Sequence, residues 1–167
     1  EPKLVMEQAT RLGKTIEAIL LTHGHFDHVG AVKDLVADTD CRVFLCAEDT
    51  NLPPMFTAGP LYHTHTYGEG DELTFGGMTF KVLHTPGHTA GCCTFLCGDV
   101  MFSGDTLFQE CCGRTDLETG SLEDILRSLK RLAQLEGNYR VFPGHEGFSS
   151  LEYERQYNPY IREAMRR

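Results

Sequence analysis

The sequence predicts an α/β fold built as a single domain over residues 1–167. Three observations carry that reading. Helical and extended patterns alternate along the chain, no Ser/Pro linker, repeat or low-complexity tract interrupts them, and four apolar runs each end in a loop bearing His or Asp. The 167 residues, 41% of them hydrophobic, are enough for one compact core.

The elements follow from periodicity and stop signals. Residues 2–12 read as a helix with Leu4, Val5, Ala9 and Leu12 on one face and Gly13 as the stop. "TIEAILL" (15–21) is a strand that delivers the chain to a His-rich turn, "VGAVKDLVADT" (29–39) a helix, and "RVFLC" (42–46) a short buried strand. Two β-rich runs flank Gly76 and Gly77, and a second hairpin turns at Gly98 and Asp99. "SLEDILRSLKRLAQL" (121–135) is strongly amphipathic, with Ser121 as N-cap, Asp124 in the place of the usual Glu/Gln, and Gly137 as the stop. "YRVFPGH" (139–145) is the last strand. One or two short helices follow, and Tyr153, Tyr157 and Tyr160 are expected to pack the last of them on the body of the domain.

Composition removes several function classes. A net charge of -9 provides no basic footprint for nucleic acid, and no apolar stretch approaches the ~20 residues of a membrane span. Seven cysteines, an odd number without regular spacing, suit a reducing compartment, so a cytoplasmic location is expected. Cys92, Cys93 and Cys97 read as small buried hydrophobes, and Cys111 and Cys112 as the more reactive pair.

The four strand ends are "AILLTHGHFDH", "KVLHTPGH", "VMFSGD" and "YRVFPGH". Strands of one sheet that stop at a common edge bring such residues together, and imidazole nitrogen with carboxylate oxygen suits zinc, manganese or iron. Two metals fit the ligand count: His23, His25 and His88 around one, Asp27, His28 and His145 around the other, with Asp105 bridging. Gly24 permits the crowding of His23 and His25. The second HxH, His63 and His65, follows a Pro/Gly-rich stretch rather than a strand and reads as a surface loop. His84 reads as a strand-end histidine that bonds a ligand or the backbone, while Arg114 and Asp116 either line the site mouth, with Arg114 on a substrate carboxylate, or pair with each other.

"THGHFDHVG", "TPGHT", "SGDTLF" and "FPGH" resemble, in order, the metal-binding motifs of the metallo-β-lactamase-fold hydrolases. Within them the chain is similar to hydroxyacylglutathione hydrolases (glyoxalase II) and their short bacterial relatives, through "GRTD" at 113–116 and "YERQYNPY" near the end. The resemblance implies a four-layer αβ/βα sandwich and the ligand roles given above. It also implies strands before the first helix, which this sequence lacks; a native N-terminal segment, a second copy or a partner chain is expected to supply them. Full-length glyoxalase II enzymes carry a helical domain that helps hold glutathione, whereas a short tail follows His145 here.

The chemistry implied is hydrolysis by a hydroxide held between two divalent ions, most simply zinc, with Asp27 aiming it and Asp105 fixing the ion pair. A small acyl-thiol substrate fits best, because a thiolate leaves with little protonation. Two alternatives stay open. A mononuclear iron persulfide dioxygenase of the same fold would use His23, His88 and Asp105, and a non-catalytic, partner-dependent module would hold structural metals. β-Lactams, lactones and phosphodiesters also suit such a centre, since fold and metals do not fix the substrate.

Overall fold

A computed structural model describes residues 1–57 and 59–167. In chain order the elements are α1 (Pro2–Arg11), β1 (Ala18–Leu20), α2 (Phe26–Val29), α3 (Val32–Thr39), β2 (Arg42–Cys46), a 3-10 turn (Ala47–Asp49), α4 (Pro54–Thr57), β3 (His65–Tyr67), β4 (Glu72–Phe75), β5 (Met78–His84), β6 (Cys93–Cys97), β7 (Val100–Gly104), β8 (Leu107–Phe108), β9 (Cys111–Cys112), α5 (Leu122–Ala133), β10 (Arg140–Pro143), β11 (Ser149–Ser150), α6 (Leu151–Tyr157) and α7 (Pro159–Arg166).

The strands form two principal sheets rather than the one the strand ends suggest. β1-β2-β3 is a small parallel sheet, and β11-β10-β7-β6-β5-β4 is a larger mixed one in which only β10 and β7 run parallel. Alternation along each strand explains the stacking. On β2, Val43 and Leu45 join Val32 of α3 in one apolar cluster, whereas Phe44 and Cys46 join Val82, Cys93 and Phe95 of the large sheet in another. On β5, Val82 faces that inter-sheet layer and its neighbour Leu83 faces Ile125, Leu126 and Leu129 of α5. The layers are therefore helix, sheet, sheet, helix. Ser121 caps α5, its hydroxyl accepting from the Asp124 N–H at 3.2 Å, as the sequence predicts.

Four local expectations change. The helix over 29–39 is two pieces, because α2 begins inside the His-rich motif and the chain turns again at Gly30 and Ala31 before α3. His65 is not in a loop: the Thr64 N–H donates to the Val43 carbonyl at 2.9 Å and starts β3 alongside β2. The apolar face of α1 is open, with Leu4 and Leu12 exposed, and β1 lies at a sheet edge with no strand beyond it among the described residues. The three C-terminal tyrosines are partly exposed, and Leu151, Ile161 and Ala164 anchor α6 and α7 in the core instead.

Candidate metal centre

The two sheets meet where their strands end. β1 gives way at Thr22, whose carbonyl accepts from the Cys93 N–H of the large sheet at 2.9 Å. His23 follows, fully buried, and His25 occupies the N-cap position of α2, which carries Asp27 and His28 on its single turn. His88 sits in the β5–β6 loop, and its Nδ1 bonds the Arg114 carbonyl at 2.8 Å. That contact places the proton on Nδ1 and leaves Nε2 as a free donor atom for a metal.

Two glycines make the approach of the remaining ligands possible. Gly104, at φ +49° at the end of β7, turns the chain so that Asp105 faces inward, and a Cβ there would lie 2.6 Å from the Thr22 side chain. Gly144 precedes His145, and its N–H donates to the Gly104 carbonyl at 2.9 Å. A Cβ at 144 would lie 2.3 Å from Asp105 Oδ1 and 2.7 Å from His28 Cε1. The β10 loop can close on the site only because that atom is missing.

All seven side chains converge. His25 Nδ1 and His88 Nε2 are 2.8 Å apart, and Asp105 reaches His28 Nε2 at 3.2 Å, His145 Nε2 at 3.4 Å and His88 Nε2 at 3.5 Å. Asp27 lies 3.1 Å from His145 Nε2 and 3.8 Å from His28 Nε2. The donor atoms fall into three overlapping groups, His23/His25/His88, His23/His28/Asp105 and Asp27/His28/His145, each within 4.8 Å. Asp105 therefore sits between the outer two.

The donor set fits divalent cations. His23 Nε2, His28 Nε2 and Asp105 Oδ1 are buried and have no hydrogen-bond partner among the described residues, although they crowd one another. Buried polar atoms left close but unbonded are costly unless something else satisfies them. Electrostatics agrees: burial, reinforced by the neighbouring imidazoles, holds His23 well below the usual histidine range and brings His25 down to about 4. Both are thus neutral at physiological pH, the form that ligates metal.

One residue outside the predicted set organises the centre. Asp49, fully buried at the end of the 3-10 turn, accepts from the Gly24 N–H at 2.9 Å, the Thr89 hydroxyl at 2.9 Å and the Gly91 N–H at 2.7 Å. Burial raises its carboxyl above the ordinary aspartate value, against the effect of those three bonds. It ties the loop of His23 and His25 to the loop of His88. Its signal in the sequence was an acidic residue just past an apolar strand, the same pattern that marks the ligands.

His84 bonds the Ala90 carbonyl through Nε2 at 2.7 Å, the backbone contact that its strand-end position predicts. A cleft of 430 Å³ opens over the cluster, lined by His25, Asp27, His88, Asp105 and His145 with Phe26, Phe56 and Phe108. Arg114 lines the same cleft and also pairs with Asp116 through two bonds of 2.7 Å, whereas Asp116 is not among the lining residues. Cys111 and Cys112 are not among the cleft-lining residues. They are half-buried in β9, and burial pushes the Cys112 thiol up to about 12, opposite to a reactive thiolate.

Residues 2–145 match the family model of the metallo-beta-lactamase superfamily. The chain belongs to that superfamily. A hydroxyacylglutathione hydrolase of Idiomarina loihiensis is 38% identical over 87% of this chain, which spans about half (53%) of that enzyme. Among solved structures, the BLEG-1 B3 metallo-beta-lactamase superposes with a TM-score of 0.90 at 31% identity, covering 96% of this chain and 84% of its own. The protein TTHA1623, solved in a di-iron-bound form, gives 0.87 at 37% identity, with 96% and 85% covered. The superfamily fold and the His-rich donor set together suit divalent metal ions. Among the described residues, no helix is long and apolar enough to cross a membrane.

Proposed function

We propose that this chain is a metal-dependent thioester hydrolase acting on a small acyl-thiol, with zinc as the first candidate metal. The observation that carries the reading is the convergence of seven His and Asp donors, some buried without bonds, five of which line a cleft. His23, His25 and His88 would hold one ion, Asp27, His28 and His145 the other, and Asp105 both. Divalent cations so held supply a water activated near neutral pH and a Lewis acid for the acyl oxygen.

The chain's own residues then divide the work. Asp27 stands at the open side, where its carboxylate can accept a proton from water and orient it toward the acyl carbon. Phe26, Phe56 and Phe108 present an apolar wall to the acyl group, and the Arg114 guanidinium at the rim suits a substrate carboxylate. No general acid of unusual strength is required for a thiolate leaving group. The hydroxyacylglutathione hydrolase relatives support this reaction class, and the presence of the second donor group favours two ions over the single iron of a persulfide dioxygenase.

The test is plasma mass spectrometry of the purified protein beside an assay on a panel of thioesters that includes a 2-hydroxyacyl thioester. At least two metals per chain with chelator-sensitive hydrolysis is expected. One iron per chain with oxygen uptake on a persulfide would overturn the reading, as would full thioesterase activity after the metal is stripped.

A further inference from the structure

A second donor cluster lies outside the catalytic cleft. Cys46 ends β2, Glu48 sits in the 3-10 turn that follows, and His84 ends β5, so three side chains from both sheets meet. One ligand-type atom from each, a sulfur, a carboxylate oxygen and a ring nitrogen, lies within 4.8 Å of the other two. We propose that Cys46, Glu48 and His84 form a separate binding site for one thiophilic divalent cation of the zinc class, which staples the small sheet to the large one.

Each ligand is prepared for that role. His84 Nε2 bonds the Ala90 carbonyl at 2.7 Å, the partner that typically fixes the tautomer of a metal-binding imidazole and leaves Nδ1 with its lone pair. Cys46, fully buried, donates its S–H to Glu48 Oε2 at 2.9 Å, so its proton already points to a carboxylate. That bond holds the Glu48 carboxyl below the usual glutamate range, and Glu48 itself is exposed, which gives an ion a path from solvent. On binding, the thiol proton leaves through Glu48 to water, the sulfur becomes a thiolate ligand, and a site with three protein ligands keeps a position for water. Cys93, buried beside Cys46 and paired across β5 and β6 with His84, completes a soft, water-poor surround.

The catalytic donors are all His and Asp, so sulfur ligation distinguishes the two sites. The chain is stripped of metal, titrated with cobalt(II) beyond three equivalents, and read for the thiolate-to-cobalt charge-transfer absorption in the near ultraviolet. That band is expected in the native chain and in Asp105→Ala, absent in Cys46→Ser, and about tenfold harder to saturate in His84→Ala or Glu48→Gln, whose altered side chains are only partly buried or exposed. Native protein without the band, or a band of full strength in Cys46→Ser, would overturn the site. If Cys46→Ser does not fold, unchanged saturation in both other variants overturns it equally. Loss of thioesterase activity plays no part in the readout, so this result stands or falls apart from the proposed reaction.

Discussion

His23, His25 and His88 are 0, 6 and 5% exposed, whereas the side chains of Asp27 and His145 across Asp105 are 37 and 47% exposed. The inner group rests on strand ends and fixed backbone partners; the outer group stands on one helical turn and the β10 loop. Burial holds His23 and His25 neutral, and His23 Nε2 has no hydrogen-bond partner among the described residues, so a cation there replaces an existing penalty. Asp27 and His145 stay hydrated without an ion and gain less from one. Two sites of unequal affinity should result, with the weaker one facing substrate.

Removing the bridge tests whether the groups act as one. Asp105→Ala deletes contacts to His28, His88 and His145 together, and thioesterase activity should fall by more than the ~100-fold typical of losing a supporting residue, with both metals weakened in elemental analysis. Equal metal content in this variant would mean that Asp105 is not shared. Next in size, His25→Ala should lose the tightly held ion, whereas His145→Ala should keep that ion through mild chelation and lose only the weaker one. A matched loss in the two variants would erase the predicted asymmetry.

Asp49 sharpens the inner half of the comparison. Asp49→Ala leaves the Gly24 and Gly91 N–H groups unpaired beneath the two ligand loops, and the inner metal should bind ~10–100-fold more weakly. Asp49→Glu should recover less than the native chain because the pocket is closed. Metal affinity at the native level in Asp49→Ala would reduce Asp49 to packing.

Much of this centre was legible in the sequence. Each of the seven side chains lies in or just past a loop that follows an apolar strand, and that rule needs no knowledge of which strands pair; it groups the seven, and the structure brings them together from the ends of two sheets rather than one. What it missed has physical causes. His65 does not read as a strand because a three-residue parallel strand leaves no alternation to read, and its partner, Phe44, is distant in sequence. The break between α2 and α3 escaped because Gly30 and Ala31 continue in nearly helical backbone, so periodicity runs through them. Asp49 went unnoticed since its three bonds reach 25 to 42 residues away.

The depressed histidines also set a pH response for the metal-free chain. A histidine whose folded value is lowered stays neutral where the unfolded chain takes up a proton, so stability is complete above about 6.5 and is lost as pH falls toward 4, the value of His25. The melting temperature of stripped protein should drop across that window by circular dichroism. His25→Gln should flatten the slope. A melting temperature that rises on acidification would contradict the burial argument.

The smallest effect belongs to the rim. Arg114 and Asp116 form a two-bond pair with side chains 63 and 68% exposed, and pairs so open contribute little to stability because water and salt screen them. Arg114 nevertheless holds His88 through its backbone carbonyl, a contact that survives any change of side chain. Arg114→Ala therefore separates the guanidinium from the scaffold: melting temperature and metal content should not move. KM for a thioester bearing a carboxylate should rise on the order of tenfold with kcat unchanged, while an uncharged analogue should be indifferent. Asp116→Asn should act in the opposite sense, since it releases the guanidinium toward the cleft. If both substrates respond alike to Arg114→Ala, Arg114 does not read substrate charge.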